Sequence, residues 1–475
     1  MADRVIHWFR RDLRLEDNTA LHHALLSGNP VVPVFILDDY ILRQGIAGEH
    51  RLRFLRTALV DLDQRLQEQG SGLVVRHGDA ARELNRLAEE TECWAVYFNR
   101  DHTPYARQRD SRATRGLQLT GVVTQVFDDL LLVPPPALMD EDGGVPLTFD
   151  AFSRRWFNVL DLDPEPLPDP EAASFMVRAE LPASVDDWPE ILAPGLREPS
   201  PWPGATPTSA QERLRHFAAD SLAGYERGRD QPGEEDGTSR LSAALKFGTI
   251  SVRDVARAAL RRAAADSRAR TGAERFVREL AWRDYAASLL QAHPDLLQRP
   301  LHEPSWAERV GPPAEEKEAR LQAWVDGRTG LPLVDAGMRQ LLAEGWMLHG
   351  VRSVVASVLA HQMACDWRVG EEHFARYLVD CDLASNDLGW QSAVGVGVEA
   401  PRDQPVLNPQ RQGETLDPEG QYVRQWVPEL ARVPASHVHQ PWAMSQEMQA
   451  AAGCRVGIDY PEPIVPPDGP GEFSR

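Results

Sequence analysis

The first 130 residues alternate short apolar runs with longer amphipathic stretches, and this alternation restricts the fold more than any other feature of the chain. The apolar runs fall at 5–9, 31–37, 73–75, 94–98 and 122–127. Helical patterns lie between them near 18–27, 51–69 and 79–91. Strand–helix alternation of this kind predicts a parallel sheet with helices on both faces. We therefore expect an α/β domain with a doubly wound parallel sheet over residues 1–133.

The sequence pattern changes at two further points along the chain. Residues 134–208 are rich in proline, which removes a backbone donor and fixes φ, so an irregular connector is expected there. Aromatic residues punctuate this segment at Phe149, Phe152, Trp156 and Phe157, which favours an ordered segment over a free linker. From residue 209 the apolar residues recur at intervals of three and four, which predicts an all-α C-terminal domain over 209–475.

Charge and composition limit the partners and the location. The net charge is −20, which opposes non-specific binding to nucleic acid because phosphate contacts require cations. The stretch 251–285 holds nine arginines and five acidic residues, which fits either a solvated helix surface or a local basic face. No apolar run reaches about 18 residues and no secretory signal is evident, so we expect no membrane span. The four widely spaced cysteines are typical of reduced thiols in a cytoplasmic protein.

Three groups of residues could carry chemistry. Residues 237–242, Gly-Thr-Ser-Arg-Leu-Ser, precede helical sequence and suit a bound phosphate, although such clusters are more often capped turns. Residues 380–386 bracket small residues with two carboxylates and an amide, which suits a planar ligand or a hydrogen-bonded loop. The tryptophans of the second half would ordinarily be core or amphipathic surface residues; they include Trp282, Trp324, Trp346, Trp367 and Trp390.

These groups belong to an ordered series of motifs that resembles the photolyase/cryptochrome family nearly end to end. The motifs lie at 7–18, 237–242, 246–248, 279–283, 330–339, 345–347, 380–390, 408–409 and 439–442. The resemblance implies an N-terminal α/β antenna domain and a C-terminal helical domain that binds FAD. It assigns the flavin contacts to Tyr225, Thr238, Ser239, Arg240, Leu241, Ser242, Arg283, His349, Arg352, Asp380, Asp382 and Asn386.

The resemblance also implies roles within the helical domain. Arg352 and Asp380 would pair beside the isoalloxazine ring, and Asn386 would face flavin N5. Trp390 and Trp367 would begin the photoreduction chain, and the candidate for its outermost member is Trp306.

The activity that the resemblance implies is repair of cyclobutane pyrimidine dimers in DNA. An electron would pass from excited reduced flavin to a dimer flipped out of the helix. Glu279 would then hydrogen-bond to the flipped bases and Trp282 would stack on them. Ultraviolet-damaged DNA is accordingly the expected partner, and a monomer is the expected state.

Several lesion and DNA contacts depart from the family pattern, at His349, Gly350, Ser353, Ser392 and Pro405. One lost stacking aromatic costs roughly 1–3 kcal/mol, and each lost phosphate contact reduces the salt slope by about one. These departures favour an alternative, a cryptochrome-like blue-light photoreceptor with little or no repair activity. His349 also keeps repair of the (6-4) photoproduct open as a lesser alternative.

The second chromophore is the remaining cofactor question. Folate-type relatives carry an acid at the position of Ala106, so a deazaflavin or another flavin is expected in preference to folate, and an empty site stays open. We expect no metal site.

Overall fold

The computed structural model describes residues 4–43, 47–162, 165–168, 175–192, 195, 198–302, 313–398 and 406–466. The chain forms two compact units. Unit 1 contains Met1–Ala223, Ser239–Asp295 and Val379–Ala384, and unit 2 contains Gly224–Thr238, Leu296–Leu378 and Ser385–Arg475. The domain boundaries that the sequence predicts at residues 133 and 208 remain a prediction.

Unit 1 contains a sheet of five parallel strands in the order β3-β2-β1-β4-β5. Val5 pairs with Val31 on one side and with Ala95 on the other, which places β1 at the centre of the sheet. The predicted parallel α/β sheet is therefore confirmed. The strands are β1 Val5–Phe9, β2 Val31–Asp38, β3 Val74–Gly78, β4 Ala95–Asn99 and β5 Val123–Phe127.

Both faces of the central strands are buried, as expected for a parallel sheet between helices. Ile6 and Trp8 belong to a core cluster with residues of the helices that follow β3 and β4. Val5 and Phe9 point to the opposite face and are completely buried. The near-continuous apolar runs in the sequence reflect this two-sided burial.

The helices of unit 1 follow the strands and continue past the sheet. Among the described residues, the segment predicted to be an irregular connector contains the helices Phe149–Val159 and Trp188–Leu192, and the first of them carries all four of its noted aromatic residues. The helices are α1 Thr19–Leu26, α2 Asp39–Arg43, α3 Glu49–Glu68, α4 Ala80–Thr91, α5 Pro104–Leu119, α6 Phe149–Val159, α7 Trp188–Leu192, α8 Pro207–His216, α10 Ser242–Phe247, α11 Val252–Ala265 and α12 Arg270–Ala292.

Unit 2 is built from helices, and every regular element after β5 in the described part of the chain is helical, which confirms the all-α prediction. The buried carboxylate of Asp335 fixes the start of one helix by accepting hydrogen bonds from Thr329, Gly330 and Tyr460. The helices are α9 Tyr225–Gly228, α13 Ala314–Val325, α14 Pro332–Glu344, α15 His349–Ser357, α16 Trp367–Tyr377, α17 Leu383–Ala393 (whose first two residues belong to unit 1), α18 Pro409–Leu416, α19 Gln421–Trp426 and α20 Gln446–Ala452.

Among the described residues, no helix combines the length and the apolar composition that crossing a bilayer requires. The four cysteines are all buried and form no disulfide.

Candidate functional site

The loop before α10 holds four of the residues predicted to bind phosphate and ribitol. Arg213 donates to the Ser239 carbonyl at 2.9 Å, and the Leu241 amide donates to Ser239 Oγ at 3.4 Å. Arg240 has a φ of 49°, in the left-handed region. A non-glycine residue persists there only when its surroundings fix it, and such strain concentrates at ligand-binding loops. The loop is therefore held in one shape before Ser242 begins α10.

Asp382, predicted to contact the flavin ring, is fixed by the N-terminal motif. The Arg11 guanidinium donates to Asp382 at 2.7 Å and to Asp101 at 3.5 Å. Burial alone would raise the pKa of Asp101, but Arg11 and nearby arginines hold it well below its usual range. Burial, with a contribution from Arg11, lowers the pKa of the neighbouring Lys246 to about 8. The cluster thus holds the Asp382 side chain in one position.

Arg283 and Asp382, both predicted flavin residues, line one small cavity of about 20 Å³ together with Arg11. Arg283 donates to the carbonyls of Leu130 and Leu245, and burial lowers its pKa. A space of this size holds about one water molecule. These two predicted residues are therefore brought together within unit 1.

Helix α12 carries the two residues predicted to face the lesion. Glu279 and Trp282 lie three positions apart, on the same face of the helix, and both are partly exposed. Arg275 lies 3.5 Å from the Glu279 carboxylate. The Trp282 ring stacks on Phe149, with centroids 3.8 Å apart and planes inclined by 14°.

In unit 2, Asn386 lies against helix α16, where its side-chain amide donates to the Glu371 carbonyl at 3.3 Å. Burial raises the pKa of Glu371 to about 8, with a further contribution from Asp387. Burial also raises the pKa of Asp387 to about 7, although Gln391 donates to both of its oxygens. The residue predicted to face flavin N5 thus bonds to the backbone of a glutamate whose pKa is raised, and it precedes an aspartate whose pKa is also raised.

The other predicted flavin residues of unit 2 have local contacts. Arg352 donates to the Met347 carbonyl at 2.7 Å, and the Arg229 guanidinium lies 6.0 Å from the centre of the Tyr225 ring. Thr238 has extended backbone, and His349 is the first residue of α15. The predicted pairing of Arg352 with Asp380 stays a prediction, as does the gathering of the whole set around one cofactor.

Trp390 packs closely against the helix that begins with Trp367. A Cβ atom added at Gly370 would lie 2.3 Å from the Trp390 ring, so only glycine allows this approach. Trp324 makes an edge contact with Trp390 at 6.4 Å. The third predicted member of the chain, Trp306, lies outside the described residues.

The indole Nε1 of Trp390 bears on whether the predicted flavin-binding residues can hold a cofactor. Its Nε1 is buried, and within the described part of the chain it has no hydrogen-bond partner. An unsatisfied buried donor costs about 1–3 kcal/mol. A cofactor with acceptor atoms would remove this cost, so the residues fit a bound flavin.

A larger cavity, of about 260 Å³, opens in unit 1 at the carboxyl ends of β1, β2 and β4. This edge, where the strand order reverses, is where doubly wound sheets bind ligands. Its wall combines aliphatic, aromatic, cationic and acidic side chains, and it includes Ala106. The aromatic and cationic residues are Trp8, Phe35, Tyr40, Tyr105, Phe247, Arg10, Arg11, Arg51, Arg109 and Lys246.

The positions that depart from the family pattern are small or exposed. Ser353 lies one turn after His349 on α15 and donates to its carbonyl at 3.2 Å. Ser353 is partly exposed and Ser392 is exposed. Gly350 has room for a Cβ atom, whose nearest neighbour would be Leu416 at 3.7 Å. Pro405 lies outside the described residues.

The arginine-rich stretch 251–285 is largely engaged within unit 1. Arg253 contacts Asp17 and Asp129, and Arg278 pairs with Asp150. Further ion pairs involve Arg257, Arg262, Arg268 and Arg275. Many of these arginines therefore form ion pairs within unit 1 and do not contribute to a basic face.

Sequence reasoning missed four residues that shape the site: Arg11, Phe149, Trp324 and Gly370. Arg11 is the second residue after the buried strand β1, in the loop from which side chains reach the carboxyl edge of the sheet. Gly370 lies three positions after Trp367, and a glycine at this spacing indicates that another side chain packs closely on that face of the helix. For Phe149 and Trp324, no local pattern in the sequence indicated a contact with another tryptophan of the site.

Comparison with known proteins shows which family the chain belongs to. The family model described as DNA photolyase matches residues 5–171, and the model described as FAD binding domain of DNA photolyase matches residues 276–469. The deoxyribodipyrimidine photo-lyase of Streptomyces griseus is 37% identical over 467 residues, covering 96% of this chain and 95% of that protein.

Two solved structures are similar over nearly the whole chain. The Synechocystis cryptochrome has a TM-score of 0.87 and 28% identity, covering 98% of this chain and 96% of its own. An archaeal photolyase from Sulfolobus tokodaii, solved with two FAD molecules, has a TM-score of 0.80 and 31% identity, covering 98% of this chain and 96% of its own.

Proposed function

Because the chain belongs to the DNA photolyase family, we propose that it repairs cyclobutane pyrimidine dimers in DNA, using blue light and reduced FAD. The observation that carries the proposal is the placement of Glu279 and Trp282 on one face of α12, both partly exposed. A carboxyl group beside an indole ring offers the flipped bases a hydrogen-bond partner and a stacking surface.

The cofactor is FAD, and we propose that the residues predicted from the sequence motifs hold it. Bound FAD, reduced and excited by blue light, supplies the electron that weakens the cyclobutane ring. Ser239, Leu241 and Ser242 would bind the phosphates through a loop already fixed by Arg213. Asp382 would contact the ring system from a position that Arg11 fixes.

Asn386 would orient the flavin edge through its amide, which the Glu371 carbonyl holds in place. Trp390 and Trp367 would carry electrons inward for photoreduction. Gly370 supports that route by letting Trp390 pack on the first turn of the helix that Trp367 begins.

The cavity at the carboxyl edge of the sheet would hold the second chromophore. Its aromatic walls suit a planar ring system, and its arginines suit an anionic tail. Ala106 leaves it without the acid expected for folate. We therefore place a flavin or deazaflavin there, which agrees with the second FAD of the Sulfolobus tokodaii structure.

A second candidate function is that of a cryptochrome-like photoreceptor. The small hydroxyls of Ser353 and Ser392 stand where a methionine and a tryptophan are expected beside the lesion. The similarity to the Synechocystis cryptochrome is compatible with this alternative. For either function we propose a monomer that acts in the cytoplasm, with ultraviolet-damaged DNA as the partner of the repair enzyme.

A repair assay separates the two functions. Reduced holoprotein is mixed with an oligonucleotide that holds one thymine dimer, and restored thymines are counted after blue light and after darkness. We expect light-dependent restoration, and we expect its loss with Trp282→Ala. No restoration above the dark control, with normal flavin photoreduction, would overturn the repair function and favour the photoreceptor. A parallel arm with a (6-4) photoproduct tests the lesser alternative.

A further inference from the structure

The ring of Trp282 lies flat on a residue from a distant part of the chain. Phe149, the first residue of α6, stacks on it with centroids 3.8 Å apart and planes inclined by 14°. Such offset or parallel aromatic pairs contribute about 0.5–1.5 kcal/mol beyond the area that they bury. The contact is therefore strong enough to influence how the Trp282 ring is oriented.

Phe149 is itself held from two sides. Thr148 caps α6 by accepting a hydrogen bond from the Ala151 amide, which fixes the start of the helix. The Arg278 guanidinium lies 4.8 Å from the centre of the Phe149 ring, and Arg278 pairs with Asp150.

The position of Phe149 along α12 follows from helix geometry. Arg278 and Trp282 are four residues apart, so they are neighbours on one face of α12. Phe149 contacts both side chains, which ties the start of α6 to this face.

The burial of the two rings shows which face of Trp282 is covered. Phe149 is 3% exposed and belongs to a buried aromatic group with Phe152 and Tyr285. Trp282 is only partly buried. Because Phe149 occupies one face of the indole at stacking distance, the exposed area of Trp282 belongs to its other face and its edges.

We propose that Phe149 is a positioning residue for the pyrimidine dimer: it fixes the Trp282 ring from behind, so that the other face is presented flat to the flipped pyrimidines. A ring already held in its bound orientation loses less conformational entropy when the ligand stacks on it. The inference rests on the proposed function, since it concerns the same lesion site.

The test compares Phe149→Leu with two other variants in the reduced holoprotein. Phe152→Leu is the matched control, because Phe152 lies on the same helix and packs on Tyr285 at 4.6 Å. Phe149→Tyr keeps the aromatic face. Affinity is measured for a thymine-dimer oligonucleotide and for its undamaged counterpart, together with flavin photoreduction and the melting temperature.

We expect Phe149→Leu to weaken binding to the dimer about fivefold, which corresponds to about 1 kcal/mol, and to leave binding to undamaged DNA and photoreduction unchanged. Phe149→Tyr should restore the preference for the dimer. Phe152→Leu should lower the melting temperature without changing that preference. A Phe149→Leu preference within twofold of the parent, or an equal loss in Phe152→Leu, would overturn the proposal.

A measurement without DNA keeps this inference separate from the proposed function. The protein is labelled with 5-fluorotryptophan, and the Trp282 resonance is assigned by its absence in Trp282→Phe. Phe149→Leu should shift and broaden that ¹⁹F resonance, whereas Phe152→Leu should not. If the parent shows no preference for damaged DNA, the repair function fails; an unchanged Trp282 resonance in Phe149→Leu overturns the positioning role in either case.

Discussion

Each unit holds a pair of carboxyl groups that are largely shielded from solvent, Asp17 with Asp129 in unit 1 and the partly buried Glu371 with Asp387 in unit 2. Burial disfavours the charged form of a carboxyl group in both places. In unit 1 arginines reach both acids: Arg253 lies 3.0 Å from Asp17 and 2.8 Å from Asp129. In unit 2 the hydrogen bonds to Asp387 come from the neutral side chain of Gln391, at 3.1 and 3.0 Å.

The pKa values of the two pairs are consequently shifted in opposite directions. Burial would raise the pKa of Asp129, but Arg14 and Arg253 hold it far below its usual range, and the pKa of Asp17 is lowered as well. Burial raises the pKa of Glu371 to about 8 and that of Asp387 to about 7, and the charge of Arg368 is too weak to offset it.

The two pairs of carboxyl groups differ in their neighbours, and their proposed roles differ as well. The ionised pair of unit 1 ties the loop after β1 to the start of α11, a purely architectural role. The pair of unit 2, whose pKa values are raised, lies beside Asn386, where a fixed negative charge would act on the cofactor edge that Asn386 is proposed to face. The contributions of the two pairs to the free energy of unfolding should therefore change with pH in opposite directions.

The largest effect is expected from Asp129→Ala. The substitution leaves Arg14 and Arg253 without the carboxylate that both contact. Removing one partner of a buried ion pair costs about 3–5 kcal/mol. Urea unfolding at pH 7 should show a loss of this size.

The neighbouring Asp128→Ala is the matched control, because Asp128 pairs with Arg100 in an exposed position. It should cost less than about 1 kcal/mol. The advantage of the parent over Asp129→Ala should be present above pH 3.8, the ordinary pKa of the Asp side chain, and should shrink as the pH falls below it. Equal losses in the two variants would contradict the architectural role of the buried pair.

Arg253→Lys should have an intermediate effect. Arginine bonds to Asp17 and Asp129 with different nitrogens, whereas a lysine ammonium is a single point that cannot match this fork. Loss of one hydrogen bond to a charged group costs about 2 kcal/mol. The free energy of unfolding at pH 7 measures it, and a loss below about 0.5 kcal/mol would show that charge alone suffices.

The strands of the sheet and the residues of the candidate site were predicted from two different kinds of sequence pattern. The apolar runs at 5–9 and 31–37 located β1 and β2 because a strand buried on both faces is apolar throughout. The motif residues Asp382 and Asn386 were predicted because the family pattern is contiguous in sequence.

Contacts between distant residues could not be predicted in this way. Arg253 and Asp129 are 124 residues apart, and no local pattern joins them. The aromatic spacing of Phe149, Phe152 and Trp156 does carry a helical signal, but the surrounding prolines outweigh it in the sequence and favour an irregular segment.

Glu371→Gln tests the pair of unit 2 through pH. The folded pKa of Glu371 is raised from 4.5 to about 8, so the folded state binds more protons than the unfolded state between these values. The parent should therefore lose stability as the pH rises from 4.5 to 8, and the variant, whose glutamine is always neutral, should lose less because only Asp387 of the pair still titrates. The advantage of the variant should be negligible near pH 4 and reach about 1–2 kcal/mol above pH 8, after allowance for the partial exposure of Glu371.

Thermal unfolding of the holoprotein at pH 5, 6.5, 8 and 9 measures this trend, with Glu372→Gln as the control on the exposed side of the same helix. A Glu371→Gln advantage that is the same at every pH would show that Glu371 is ionised in the folded protein.

The smallest expected effect is the coupling between Glu371 and Asp387. The charge of Asp387 contributes to the raised pKa of Glu371, so Asp387→Asn should lower that pKa and shift the pH dependence of Glu371→Gln downward. A double-mutant cycle at pH 8 should give an interaction energy of about 0.5–1 kcal/mol, because the two groups share one buried environment. At pH 5 both carboxyl groups are neutral and the coupling should vanish. A coupling of equal size at the two pH values would have to arise from packing, and the contrast with the arginine-paired acids of unit 1 would then rest on burial alone.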